Sequence, residues 1–189
     1  MKTKEIALCG LFVALIAVGA FLQISIPLPI YTMHFTLQWF FVLMAGLLLG
    51  AKLGTISVGI YLCAGLIGLP VFAAGGGPQY VLRPGFGFLL GFLVAAFLMG
   101  IMVKQAKAKR FWQYLWIAAV GEFVYYLIGA IYFYFMKNLY AGEAVPWKVV
   151  VVQYCLITVI PDFVLCILAS HMTVRLRPVI NKMIHVEEW

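Results

Sequence analysis

The chain has 189 residues, of which 66% are hydrophobic and only 10% are charged, and its mean hydropathy is +1.08. No water-soluble core of this length absorbs that apolar fraction, so the composition excludes a soluble globular protein and specifies an all-α integral membrane protein, a single domain over residues 1–189. The net charge of +7 is not a nucleic-acid signature, because the Lys and Arg residues fall at the ends of apolar segments, where they set topology.

Six transmembrane helices are predicted, at about residues 5–25, 36–51, 53–69, 85–103, 111–135 and 149–173, each near the roughly 20 residues needed to cross hydrocarbon. Only Lys52 separates the second from the third. Lys2, Lys4, Lys52, Lys104, Lys107, Lys109, Arg110, Arg175, Arg177 and Lys182 lie on one side, against Arg83, Lys137 and Lys148 on the other. The positive-inside rule then makes both termini cytoplasmic and turns the connection after the third helix outward, in a multi-pass membrane protein. The first apolar stretch lacks an A-x-A cleavage pattern and is kept as mature structure.

In the first helix, Gly10 and Ala14 form a small-x-x-x-small pair that lets another helix approach closely, either one of this chain or one of a partner subunit. The following connection, Pro27 to His34, is kept extended by two prolines. Tyr31, His34 and Gln38 are interfacial anchors or ligand contacts, Gln38 being the stronger candidate for contact.

Leu66 to Phe92 is the stretch around which the rest is organised. Apolar segments enter it from both sides, yet its middle holds prolines, the run Gly75, Gly76 and Gly77, then Gln79, Tyr80 and Arg83. Non-helical backbone near a membrane is tolerated where protein buries it or where it lines a cavity. The glycines let backbone groups approach a ligand, and Tyr80 and Arg83 offer a stacking face and a carboxylate partner. A tight connector is the other reading of the same residues.

The fifth helix carries Glu122 midway, facing a wet cavity or joining two helices by an internal hydrogen bond. The tail, Arg175 to Trp189, reads as an interfacial segment. The sixth helix contains Pro161 and Asp162 in an otherwise apolar run. An acid beside a proline kink, about 20 Å along the helix, marks a functional site. Cys9, Cys63, Cys155 and Cys166 stand singly and read as small hydrophobes. The chain has no Walker A sequence, no H-E-x-x-H and no G-x-S-x-G, so neither ATP hydrolysis nor a recognised hydrolase chemistry is encoded, and no catalytic residue, metal or cofactor is expected.

Taken together, Gly65-Leu-Ile-Gly-Leu-Pro-Val-Phe72, the Gly75 to Gly77 run followed by Tyr80, Pro84 to Phe92, Thr36-Leu-Gln38 and Pro161-Asp162 resemble the BioY family, the biotin-specific substrate-binding (S) components of energy-coupling factor (ECF) transporters. The resemblance covers essentially the whole chain. It implies capture of biotin from outside and delivery inward when docked to a transmembrane coupling subunit and two ATPases. It implies that Gly10 and Ala14 are the docking residues. It also implies a substrate-binding set of Asp162, Arg83, Tyr80, Gln79, Gly75, Gly76, Gly77, Gln38 and Phe88: Asp162 for the ureido N–H groups, aromatic and glycine surface for the thiophane ring, and Arg83 or loop N–H groups for the valerate carboxylate. Two departures stand out. Many family members place Lys three or four positions after the acid of the last helix, where this chain has Cys166, and the usual Pro-Thr-Gly-Gly-Tyr is here Pro84 to Phe88. Either Arg83 compensates for the missing lysine or the ligand is another small carboxylated vitamin, such as lipoate or dethiobiotin. A self-sufficient proton-coupled secondary carrier using Glu122 or Asp162 is the reading from a different class.

Overall fold

Gly50 decides the layout of the helices. In the computed structural model, which describes residues 2–27 and 33–184, Gly50 has φ +76°, a conformation costly for any residue with a Cβ. Helix α2, Gln38–Met44, runs through a π-helical turn, Ala45–Leu49, into this residue, and α3, Gly50–Leu66, leaves it. A Cβ placed on Gly54 would lie 2.7 Å from the Ala45 carbonyl oxygen. Residues nine apart in a straight helix are separated by about 13.5 Å, so the chain has folded back on itself. The reversal falls two residues before Lys52, the boundary that charge predicts. It sits at the glycine because only a backbone free to take positive φ makes so tight a turn between two packed helices.

Among the described residues, five helical stretches are long and apolar enough to cross a membrane: Thr3–Phe21, Gln38–Leu66, Phe86–Gln105, Phe111–Tyr140 and Ile157–Met183. The reversed pair α2 and α3 makes up the second. Helix α1, Thr3–Phe21, is followed by two short strands, β1 (Gln23–Ile26) and β2 (Met33–Thr36). They pair antiparallel with Gln23 opposite Thr36 and Ile24 opposite Phe35. This ribbon corrects the expectation of a purely helical chain and of a first helix reaching residue 25. The β-branched Ile24 and Ile26 favour extended backbone, and Pro27 disfavours helix at the residue before it. Tyr31 lies outside the described residues.

Helix α4 (Phe86–Gln105) packs between α3 and α5 (Phe111–Phe135), and α7 (Ile157–Ile184) packs on α5 and α2. A π-helical turn, Met136–Tyr140, closes α5, and the three-residue α6, Trp147–Val149, leads through a second one, Val150–Leu156, into α7. Trp39, Tyr61, Phe72 and Met99 are among the fully buried side chains of the core. Helix α1 lies at the edge: 28% of its apolar stretch is buried in the molecule, against 67% of Gln38–Leu66.

Helix α7 continues to Ile184, well past the predicted end at residue 173 and through Pro178. The tail read as a separate interfacial segment is thus helical in its first part. Arg177 holds it down: its guanidinium lies 5.7 Å from the centroid of the Tyr114 ring, and Nη1 donates to the Leu47 carbonyl at 3.4 Å.

Candidate functional site

A cavity of about 760 Å³, counted with its open mouth, lies where the β1–β2 ribbon and the loop from Ile67 to Gly85 cover one end of the helices. Four helices supply its walls. Gln38 and Trp39 come from the first turn of α2. The start of α4 contributes Phe88 and Phe92, four residues apart and so on one helical face, while α5 gives Tyr125 and α7 gives Thr158 and Asp162. His34, Thr36, Ala73 and Tyr80 close it from the ribbon and loop.

The side walls are aromatic. The Trp39 ring stacks on Tyr125 at 4.7 Å and 22°, Phe92 stands 5.0 Å from Tyr125, and Phe88 meets Tyr125 edge-on at 5.6 Å. Offset-stacked and edge-on arrangements are the favourable ones for such rings. They leave an aromatic surface suited to a compact ring system.

The polar end is Asp162, 2% exposed. The Tyr126 hydroxyl donates to its Oδ2, and Thr158, one turn earlier on α7, has Oγ1 2.7 Å from the same phenol oxygen. Tyr125 presents a second phenol to the carboxyl group. No Lys or Arg pairs with Asp162 among the described residues, and the ion pair of Lys137 with Glu143 belongs to the connection after α5. A carboxylate has about four acceptor sites and desolvating it is costly unless they are used. The two phenols leave acceptor capacity for N–H donors of a ligand.

Gln38, Tyr80, Phe88 and Asp162, all expected from sequence as contacts, line this cavity. Arg83, Gln79, Gly75, Gly76 and Gly77 are not among the lining residues. The reason lies in the loop itself. Gly75 and Gly77 have φ of +110° and +103°, and a Cβ on Gly76 would fall 2.1 Å from the Leu69 carbonyl oxygen. The Gly77 N–H donates to the Gly65 carbonyl at 2.7 Å, and Phe72 and Gly75 exchange backbone bonds. The glycines wind the loop tightly onto α3, with these N–H groups turned to protein. Gln79 bonds the Gly76 carbonyl. Arg83 is exposed and lies 5.1 Å over the ring of Tyr80, at the cavity's edge. Its positive charge reaches His34, whose pKa is lowered first by partial burial and then by Arg83, so His34 is mostly neutral at pH 7. Ser25 Oγ pairs with His34 Nδ1 at 2.9 Å.

Glu122 is buried outside the cavity and receives a hydrogen bond from the Cys166 thiol at 3.2 Å, joining α5 to α7. Sequence reasoning missed Trp39, Tyr125 and Tyr126. No sequence signal singled out the tyrosines: they share a helical face with Glu122, which itself lies outside the cavity. Gly10 and Ala14 are both exposed.

The chain matches the model of the BioY family over residues 1–182. It is 34% identical to a probable biotin transporter BioY of Lysinibacillus sphaericus, across 99% of this chain and 96% of that one. With the biotin transporter BioY of Thermotoga maritima it shares 38% identity, over 74% of this chain and 78% of the relative. A crystal structure of the S-component for biotin from an ECF-type ABC transporter superposes with a TM-score of 0.83 at 30% identity, covering 94% of this chain and 95% of that one.

Proposed function

The chain belongs to the BioY family, and from that membership and the cavity we propose that it captures biotin from outside the cell as the S component of an ECF-type transporter. The observation that carries the assignment is the Asp162 carboxyl, buried against Tyr126 at the end of an aromatic slot and paired with no cation among the described residues. A cyclic urea fits this arrangement. Its N–H groups donate to Asp162, its fused rings lie on Trp39, Phe88 and Tyr125, and Gln38 and Tyr80 bound it on two further sides. The valerate chain then runs to the mouth, where Arg83 supplies the only full positive charge contributed by the loop from Ile67 to Gly85. Gln79 and Gly75 to Gly77 shape the loop over the ligand. The phenol of Tyr126 takes the place of the lysine that many family members carry: it satisfies one acceptor site without neutralising the carboxylate.

Six helices, counting α2 and α3 separately across the Gly50 reversal, with both termini in the cytoplasm, agree with the distribution of Lys and Arg. Delivery inward depends on a transmembrane coupling subunit and two ATPases in the plasma membrane, since this chain carries no phosphate-binding loop. Exposed Gly10 and Ala14 on α1 form the docking face. Calorimetric titration of the detergent-purified chain with biotin, with lipoate and dethiobiotin as competitors, tests the reading. One-to-one, sub-micromolar biotin binding supports it, tight binding of a competitor alone changes the substrate, and no binding of any of them overturns it. Uptake that persists without the ATPases would favour a self-sufficient carrier.

A further inference from the structure

The hydrogen bonds around Tyr61 run in one direction. The Val71 carbonyl oxygen only accepts, so the Tyr61 hydroxyl 3.2 Å away donates its single proton there. The phenol oxygen is then left to accept, and the Gln38 amide supplies Nε2–H to it. That fixes which way the amide points: Oε1 turns to Thr36, whose hydroxyl donates to it at 3.3 Å. Gln38 and Thr36 line the cavity, whereas Tyr61 is fully buried behind them and does not.

A second path leads from Tyr61 back to the cavity. Its ring meets Phe72 edge-on at 5.4 Å, and Phe72 lies 4.6 Å from Tyr80, which lines the cavity. Phe72 fills the space a Cβ on Gly65 would need, 2.0 Å from that position. One phenol therefore touches both the residue that sets a polar group in the wall and the loop that covers the ligand.

We propose that Tyr61 is a positioning residue: it sets the orientation of the Gln38 amide and tethers the loop Leu69 to Gly77, so that ligand release depends on a side chain that never meets the ligand. With Oε1 held by Thr36 and one Nε2–H held by Tyr61, the second Nε2–H is the donor left for a ligand oxygen. Losing the tether frees the amide to turn and the loop to lift.

The choice of biotin as probe rests on the function proposed above. The test compares the parent chain, Tyr61→Phe, Gln38→Ala and the double variant in nanodiscs. Phe keeps the ring against Phe72 and removes only the hydroxyl. Tyr61→Phe is expected to weaken biotin binding about fivefold or more, mainly through faster release, and to cost only about twofold when Gln38 is already Ala, that remainder being the tether to Val71, which does not run through Gln38. A purely structural role would make the two losses additive. Hydrogen exchange of the ligand-free chains is the second readout: the amides of Leu69, Phe72 and Gly77, bonded to Ala64, Gly75 and Gly65 respectively, are expected to exchange faster in Tyr61→Phe while those of α5 do not change. Binding within twofold of the parent, additive losses or unchanged loop exchange would each overturn the proposal. Should the parent not bind biotin, the substrate reading falls and the exchange measurement still decides the tether.

Discussion

The Tyr126 phenol donates to Oδ2 of Asp162 and so joins α5 to α7 at the polar end of the cavity. Removing the acceptor charge removes the group that a urea's N–H donors seek. Asp162→Asn is expected to weaken biotin binding more than about tenfold, roughly 1.4 kcal/mol. Tyr126→Phe leaves the carboxylate in place but takes away its internal donor, so a smaller loss of about threefold is expected. Calorimetry on both variants checks the order. An Asn variant that binds as tightly as the parent removes Asp162 from recognition.

Asp162 was legible in the sequence because a charged group deep in an apolar segment has few structural excuses, and Gln38 because it is a polar side chain at the start of one. Tyr126 and Trp39 were not, since aromatic side chains occur throughout membrane helices and only the fold shows which ones face each other. The glycine run was legible as a loop but not in its role. Whether a glycine serves a ligand or its own chain depends on what lies within 3 Å, and at Gly76 that is the Leu69 carbonyl. The helices α4 and α5 start within one residue of the predicted positions. The α2–α3 reversal does not fall at the predicted boundary, because hydropathy is unbroken through Gly50 and only its positive φ marks the turn.

Gly76→Ala follows from the same contact. A methyl group 2.1 Å from a backbone oxygen forces the loop to move, and neither Leu69 nor Gly65 has a flexible side chain there to yield. Overpacking of this kind costs about 1–3 kcal/mol. The variant is expected to melt at lower temperature and to lose biotin affinity with it, read by thermal unfolding with and without ligand. Parent-like melting and affinity would mean that the loop tolerates a second conformation.

Arg83 stands over Tyr80 at the edge of the cavity and not in its wall. Its contribution to a ligand carboxylate is therefore made through the mouth, in partial contact with solvent and open to screening. Arg83→Ala is expected to weaken biotin about threefold and the uncharged amide of biotin much less, narrowing the preference between them. Competition titration of the two ligands at low and high salt measures that ratio. Equal losses for both would assign Arg83 to holding Tyr80 by its cation–π contact, with no part in reading the carboxylate.

Helix α1 separates binding from delivery. A Cβ added at Gly10 meets nothing within 4 Å, and the residue lies on the exposed side of the least buried span. Gly10→Leu therefore disturbs nothing inside the chain, and melting temperature and biotin affinity are expected to stay at parent values. The added bulk falls on the face proposed for the coupling subunit, where small residues let helices approach. Co-purification with that subunit and ATP-dependent uptake are expected to fall together, by about tenfold or more, the equivalent of roughly 1.4 kcal/mol of docking energy. Uptake and co-purification that match the parent would move the docking surface to another helix, and a simultaneous loss of binding would return Gly10 to internal packing.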